Sequence, residues 1–208
     1  MEEVIKISAR NQRNKLLLSI TIVLGAIIMV AACIKTNTDY NSSKTAHADI
    51  QLIKDLPQPK SMTIDSSLKS KEATAMVQTA QRFYGFWNTG NEDLILQVVA
   101  SSFFDNTLPK GRPQGPEGLV FASRNFRKAV PDLQCTIEDL VVSADKVTAR
   151  LSFNGTYKGE FMGKTPTGKP VHFFAIDILH IRNGKVVEDW HLEDNLTLMQ
   201  QLGVVSEN

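Results

Sequence analysis

Three long alternating runs in direct succession constrain the fold of this chain more than any other feature. The first ends at Phe153, a Pro- and Gly-rich turn covers 163–170, the second run spans Val171 to Ile181, and Asn183-Gly184 joins it to a third. Alternation with period two marks strands, and Asn-Gly between apolar runs marks a tight hairpin, so this stretch predicts antiparallel sheet. On the third run Glu188, Trp190, Leu192 and Asp194 share one face. If that face is covered, Asp194 lies in an apolar pocket.

Upstream the period changes. Met76, Val77, Ala80, Phe83, Tyr84 and Trp87 recur at three- and four-residue spacing and predict an amphipathic helix over 72–88, ended by Gly90. Asn91 followed by Glu92 and Asp93 is an N-cap with an acidic first turn, which starts a second short helix. Residues 101–107 read as a brief extended segment. Pro116 after Gly115 opens a third helix that runs to about Ala129, and Pro131 stops it. Leu133, Cys135 and Ile137, then Val147, Ala149, Leu151 and Phe153, alternate with polar residues as strands. Leu196, Met199 and Leu202 suggest a closing helix. Helices first and strands later give an α+β fold with an antiparallel sheet, and a curved sheet with helices on its concave side encloses a ligand cavity.

The amino terminus is a separate matter. Residues 1–15 are polar and basic, and Leu16 to Ala32 is apolar or small except for Ser19 and Thr21, as in a signal-type segment. Val30-Ala31-Ala32-Cys33 resembles the lipobox of bacterial lipoproteins, with Cys33 as the lipidated residue. The alternative is an uncleaved membrane anchor, since this run sits near the lower limit for spanning a bilayer. Basic residues precede the run, so both readings put the body outside the cytoplasm, membrane-anchored in a bacterial cell envelope. From 33 to 71 the composition turns polar, with Pro57 and Pro59, and reads as a flexible tether reaching roughly 35 Å. Packing of Ile50 to Ile53 on the domain is the alternative. The expected organisation is a signal peptide over 1–32, a lipidated cysteine and tether over 33–71, and one domain over 72–205.

At 208 residues and 42% hydrophobic content the chain holds one well-buried domain. Its net charge of +1 hides an imbalance, because Lys6, Arg10, Arg13 and Lys15 oppose only Glu2 and Glu3 before residue 33. The near-neutral body lacks an electrostatic footprint for nucleic acid. Of the two cysteines, Cys135 alternates with Leu133 and Ile137 as a small buried hydrophobe, and no disulfide is expected.

A set of short motifs in order resembles the SnoaL-like polyketide cyclases, or ester cyclases, of the nuclear transport factor 2-like superfamily. The matching pieces are Gly115-Pro116-Glu117-Gly118, Val130-Pro131-Asp132-Leu133, Gly155-Thr156-Tyr157, Pro166-Thr167-Gly168-Lys169, Gly184-Lys185-Val186-Val187-Glu188, Trp190, Asp194 and Gln201-Leu202-Gly203. The resemblance implies a cone of curved sheet and three N-terminal helices around a pocket, with homodimerisation through the outer sheet face. It also implies a mainly apolar small-molecule ligand and aldol-type closure by a pocket carboxylate, without metal or cofactor.

On that resemblance Asp194 matches the base and His180, fourteen residues earlier, the histidine that polarises the substrate carbonyl. Trp190, Phe174, Tyr157, Asn106 and Trp87 are the expected substrate-pocket residues; many relatives carry His where this chain has Asn106 and Tyr157. Each role has a plainer alternative. Asp194 also suits the N-cap of the closing helix, and His180 also suits an ordinary strand histidine. His172 shares the face of His180, but eight strand residues separate them by roughly 26 Å, too far to share a metal. Two functions follow: a membrane-tethered, cofactor-free proton-transfer enzyme, or a non-catalytic binding or scaffolding lipoprotein of the same fold.

Overall fold

The computed structural model describes residues 50–206. The expected signal peptide over 1–32, the expected lipidation at Cys33 and the first part of the expected tether fall outside the described residues. Among the described residues no helix is long and apolar enough to cross a membrane.

The element order follows the change of period in the sequence. Helix α1 (Ser70–Thr89) ends where Gly90 adopts a left-handed conformation, φ 75°, and its N–H closes on the Phe86 carbonyl. Helix α2 (Glu92–Val98) is capped by the Asn91 side chain, which accepts from the Asp93 N–H. Helix α3 (Pro116–Ala129) starts with its proline in the first turn. The strands are β1 (Ser61–Ile64), β2 (Val99–Asp105), β3 (Gln134–Ser143), β4 (Lys146–Thr156), β5 (Pro170–Arg182) and β6 (Lys185–Glu193), and α4 (Asn195–Gln201) closes the chain.

The sheet order is β1-β3-β4-β5-β6-β2. The central pairs are antiparallel as expected, whereas both edges are parallel: β1 on β3 and β2 on β6. Bulges at Ile137/Asp139 and His180/Ile181 bend the strands and give the open sheet its curvature. The core lies between the concave face and α1, around Phe83, Tyr84, Ile137, Leu151 and Leu179.

One boundary differs from the sequence reading. Residues 50–71 are not tether but part of the domain. The Ile53 N–H donates to Gln81 Oε1 at 2.8 Å, and Gln81 Nε2 donates back to the Ile53 and Pro57 carbonyls. Beyond them Ser61–Ile64 pairs with Asp139–Val142 and covers the sheet edge. The polar composition misled because this segment is held by backbone hydrogen bonds, which composition does not report.

Candidate functional site

Along β5 the residues Val171, Phe173, Ala175, Asp177 and Leu179 face the helices, while His172, Phe174 and Ile176 face outward. An acid therefore stands in the buried row. Across the ladder Asp177 is paired with His191 of β6, and two residues before His191 on the same face lies Asp189. Parallel pairing of β2 with β6 brings Asp105 opposite Asp189. Three acids and one histidine thus converge on the concave face through sheet register alone.

They form the polar end of a cavity of about 500 Å³. Its wall is apolar and aromatic. Phe153 and Phe173 stack with centroids 5.0 Å apart, Phe126 meets Phe173 edge-on at 5.8 Å and Phe161 at 6.1 Å, and Trp87, Leu119 and Met199 add to the lining. The rim comes from two loops. In the 157–169 loop, the Lys158 and Gly159 N–H groups both donate to the Ala129 carbonyl at the end of α3. That approach requires glycine, because a Cβ on Gly159 would sit 1.9 Å from the Lys128 carbonyl oxygen. In the 106–115 loop, Gln114 Oε1 accepts from the Asp105 N–H at 2.7 Å and Gln114 Nε2 donates to the Asp105 carbonyl at 3.0 Å.

Each polar side chain has a distinct setting. Asp105 is buried and ion-paired with Arg112, and it also accepts from Thr107 N–H and Oγ1. Asp177, 2% exposed, is 2.5 Å from His191 Nδ1. The other ring nitrogen of His191, Nε2, lies 3.3 Å from Glu193 Oε2. The ring is enclosed by protein yet opens into the cavity, with 29% of its side chain exposed. Burial pulls the imidazole pKa down, but the charge of Asp177 and the hydrogen bonds that the ring donates to Asp177 and Glu193 outweigh this and raise it well above the ordinary value. The setting therefore favours the imidazolium form of His191. Asp189 is 3% exposed; burial pushes its pKa well up, and the nearby charge of Asp177 adds to the shift while His191 opposes it. From α1 the fully buried Tyr84 hydroxyl faces Asp177 and Asp189, and burial followed by those two charges holds it protonated. Among the described residues no group of three or more His, Cys, Asp or Glu side chains is arranged to hold a metal ion.

The same sequence pattern and fold occur in known proteins. The family model for SnoaL-like polyketide cyclase matches residues 77–202. The chain belongs to the SnoaL-like polyketide cyclase family. Among solved structures, a candidate polyketide cyclase from Bacillus cereus ATCC 10987 is 62% identical over 76% of this chain and 100% of that one, with a TM-score of 0.71. TsrD from Streptomyces laurentii is 29% identical over 63% of this chain and 96% of its own, with a TM-score of 0.57. IdmH, a candidate polyketide cyclase from Streptomyces antibioticus, is 29% identical over 60% and 96%, with a TM-score of 0.55. No curated protein matches the sequence.

Within this SnoaL-like frame the residues expected from sequence fall in different places. Asp194 is exposed, and its carboxylate accepts from the Thr197 N–H at 3.2 Å, so it caps α4 rather than entering the cavity. His180 sits at the far end of β5, bound to Asp145 Oδ2 at 2.8 Å and near Glu188, away from the lining. Trp190 and Phe174 lie on the outer face; Phe174 is 44% exposed and packs edge-on against His172. Tyr157 is fully buried and donates to the Lys164 carbonyl, bracing the rim loop from behind. Asn106 is exposed and donates from its N–H and Nδ2 to the Asp189 carbonyl. Trp87 lines the cavity.

For three of these residues the displacement has one cause. The expected site uses the even-numbered face of β5 and β6, and the face that lines the cavity is the odd one, so each moves by one position: Phe173 for Phe174, Glu193 for Asp194, His191 for Trp190. Both faces of β5 are apolar, hence patterning alone leaves the choice open. The missed signal is Asp177, a lone acid inside Phe-Phe-Ala-Ile-Asp-Ile-Leu. An acid in the middle of a strand that hydrophobic requires a partner, and His191 is the partner.

Proposed function

We propose that this protein is a cofactor-independent cyclase that closes a carbon–carbon bond within a mainly apolar carbonyl compound, with His191, Glu193 and Asp177 in place of Asp194 and His180. The observation that carries the reading is the hydrogen-bonded chain Asp177–His191–Glu193 at the polar end of an aromatic cavity. Glu193 lines the cavity beside the imidazole and is placed to take a proton from the carbon next to a carbonyl. The resulting enolate carbon attacks a second carbonyl of the same molecule; the new C–C bond forms as the C=O π bond opens. His191 gives its Nε2 proton to that alkoxide, and Glu193 then returns the proton it holds to Nε2, restoring both groups. Asp177 does not touch substrate; it is a positioning residue that fixes the ring and favours its charged form.

The reading includes a tether and a partner copy. The Val30-Ala31-Ala32-Cys33 sequence supports lipid attachment and an extracytoplasmic body; palmitate labelling that survives Cys33→Ala removes it. The apolar outer face of Phe174, Ile176 and Leu192 supports pairing of two copies. Turnover is tested on β-polyketone ester analogues by watching for the ring-closed product. Wild type should cyclise them and Glu193→Gln should not. Tight binding without closure by the wild type would favour the non-catalytic reading, which has its own support in the contact between Glu193 Oε2 and His191 Nε2.

A further inference from the structure

Resting on the cyclase reading, we propose that Asp189 works as a neutral carboxylic acid whose O–H donates to an oxygen of the bound molecule, so that the ligand presents a carbonyl or enolate oxygen to the floor of the cavity. The argument begins with a charge inventory. Three acids are buried at this end, and two have cations: Asp105 has Arg112 and Asp177 has His191. Asp189 has neither a cation nor, at its buried Oδ1, any hydrogen-bond partner. An isolated carboxylate in such a place is costly, and taking up a proton relieves the cost.

No donor bonds Asp189 Oδ1: the Tyr84 hydroxyl and Arg112 Nε, both buried nearby, are themselves without hydrogen-bond partners. Asp177 faces Asp189 from β5, Asp105 with its guanidinium from β2 and the following loop, Tyr84 from α1, and His191 from its own strand. The two other acids oppose a third charge, and the two cations are already engaged. The main chain is fixed, because Asn106 donates to the Asp189 carbonyl through both N–H and Nδ2. Asp189 lines the cavity, so the hydrogen of its neutral form has an open direction there. There it would stabilise negative charge as it develops on oxygen when a neighbouring carbon loses its proton.

Substitutions of similar shape separate this role from that of a base. Asp189→Asn keeps a neutral donor and Asp189→Leu removes it. Infrared difference spectra of wild type minus Asp189→Asn at neutral pH should show the band of a protonated carboxyl group; a difference confined to carboxylate bands overturns the proposal, whether or not the protein turns over any substrate. A solvatochromic naphthyl ketone, 6-propionyl-2-(dimethylamino)naphthalene, reports donation to its carbonyl through its emission. It should bind wild type and Asp189→Asn with similarly red-shifted emission and bind Asp189→Leu about tenfold more weakly with blue-shifted emission. Equal binding and emission in wild type and Asp189→Leu, or no binding to wild type, removes the donor role. Failure of the cyclase reading is distinguishable, since wild type would then leave polyketone esters unclosed while the protonated-carboxyl band remained.

Discussion

The two faces of the β5–β6 hairpin are built from the same alternating sequence and do opposite things. The concave face carries Phe173, Asp177, Asp189 and His191, and its polar groups are buried and mostly paired. The convex face carries Phe174, Ile176 and Leu192, the last 73% exposed, with no described element over it. The acids of the concave face are shut away from bulk water, whereas large apolar side chains of the convex face meet solvent. Burial here tracks function rather than hydrophobicity: an acid–histidine pair gains its altered proton affinity only when enclosed, while an apolar outer face is tolerated or used for association.

Four sets of substitutions sharpen this contrast, in order of effect. On the concave side, Glu193→Gln or His191→Gln should lower turnover of a ring-closing substrate by about 10²–10⁴-fold, and Asp177→Asn should do so through kcat more than KM. Equal losses from Ile176→Ala on the convex side would break the contrast. Next, Gly159→Ala pushes a methyl group into the Lys128 carbonyl and should destabilise the fold by roughly 2–3 kcal/mol in urea unfolding, loosening the rim as it does so.

Third, Asp194→Ala removes a helix cap and should cost about 1 kcal/mol while leaving turnover unchanged. Loss of turnover at wild-type stability would return Asp194 to the site. Last, Leu192→Lys should change monomer stability by no more than about 0.5 kcal/mol yet shift sedimentation from dimer to monomer if copies pair through this face.

A pH series separates the faces in another way. The folded-state pKa of His191 is raised, so its contribution to stability is complete below the unfolded value of about 6.5 and is lost as pH rises through the folded value. Asp189 acts in the same direction: the folded protein holds a proton that the unfolded chain releases above about pH 4, so stability declines with rising pH until the folded group also ionises. Thermal melts should show an alkaline decline that His191→Gln reduces. No change in that slope would mean that the imidazole is not held charged in the fold.

Much of the molecule was legible in the chain. Helices α1 to α3 declared themselves through spacing, the Asn91 cap and Pro116, and Asn183-Gly184 fixed the hairpin, with Asn183 at φ 50° and Gly184 at φ 72° as such a turn demands. The reading of 50–71 as tether failed because Ile53 and Ser61–Ile64 are held by partners distant in sequence. The residues of the candidate site fared worse, although Trp87 on α1 does line the cavity.

By itself the sequence determined where most strands and helices run, and that three histidines and several acids lie on the last two strands. It did not determine which side of those strands the helices cover. Alternation has a period of two and no sign; when both rows are apolar, local energetics are nearly indifferent to a flip. Only the packing of α1 and α3 against Phe173 and its neighbours decided it, and that decision enclosed His191 and Glu193 and left Asp194 to cap a helix in water.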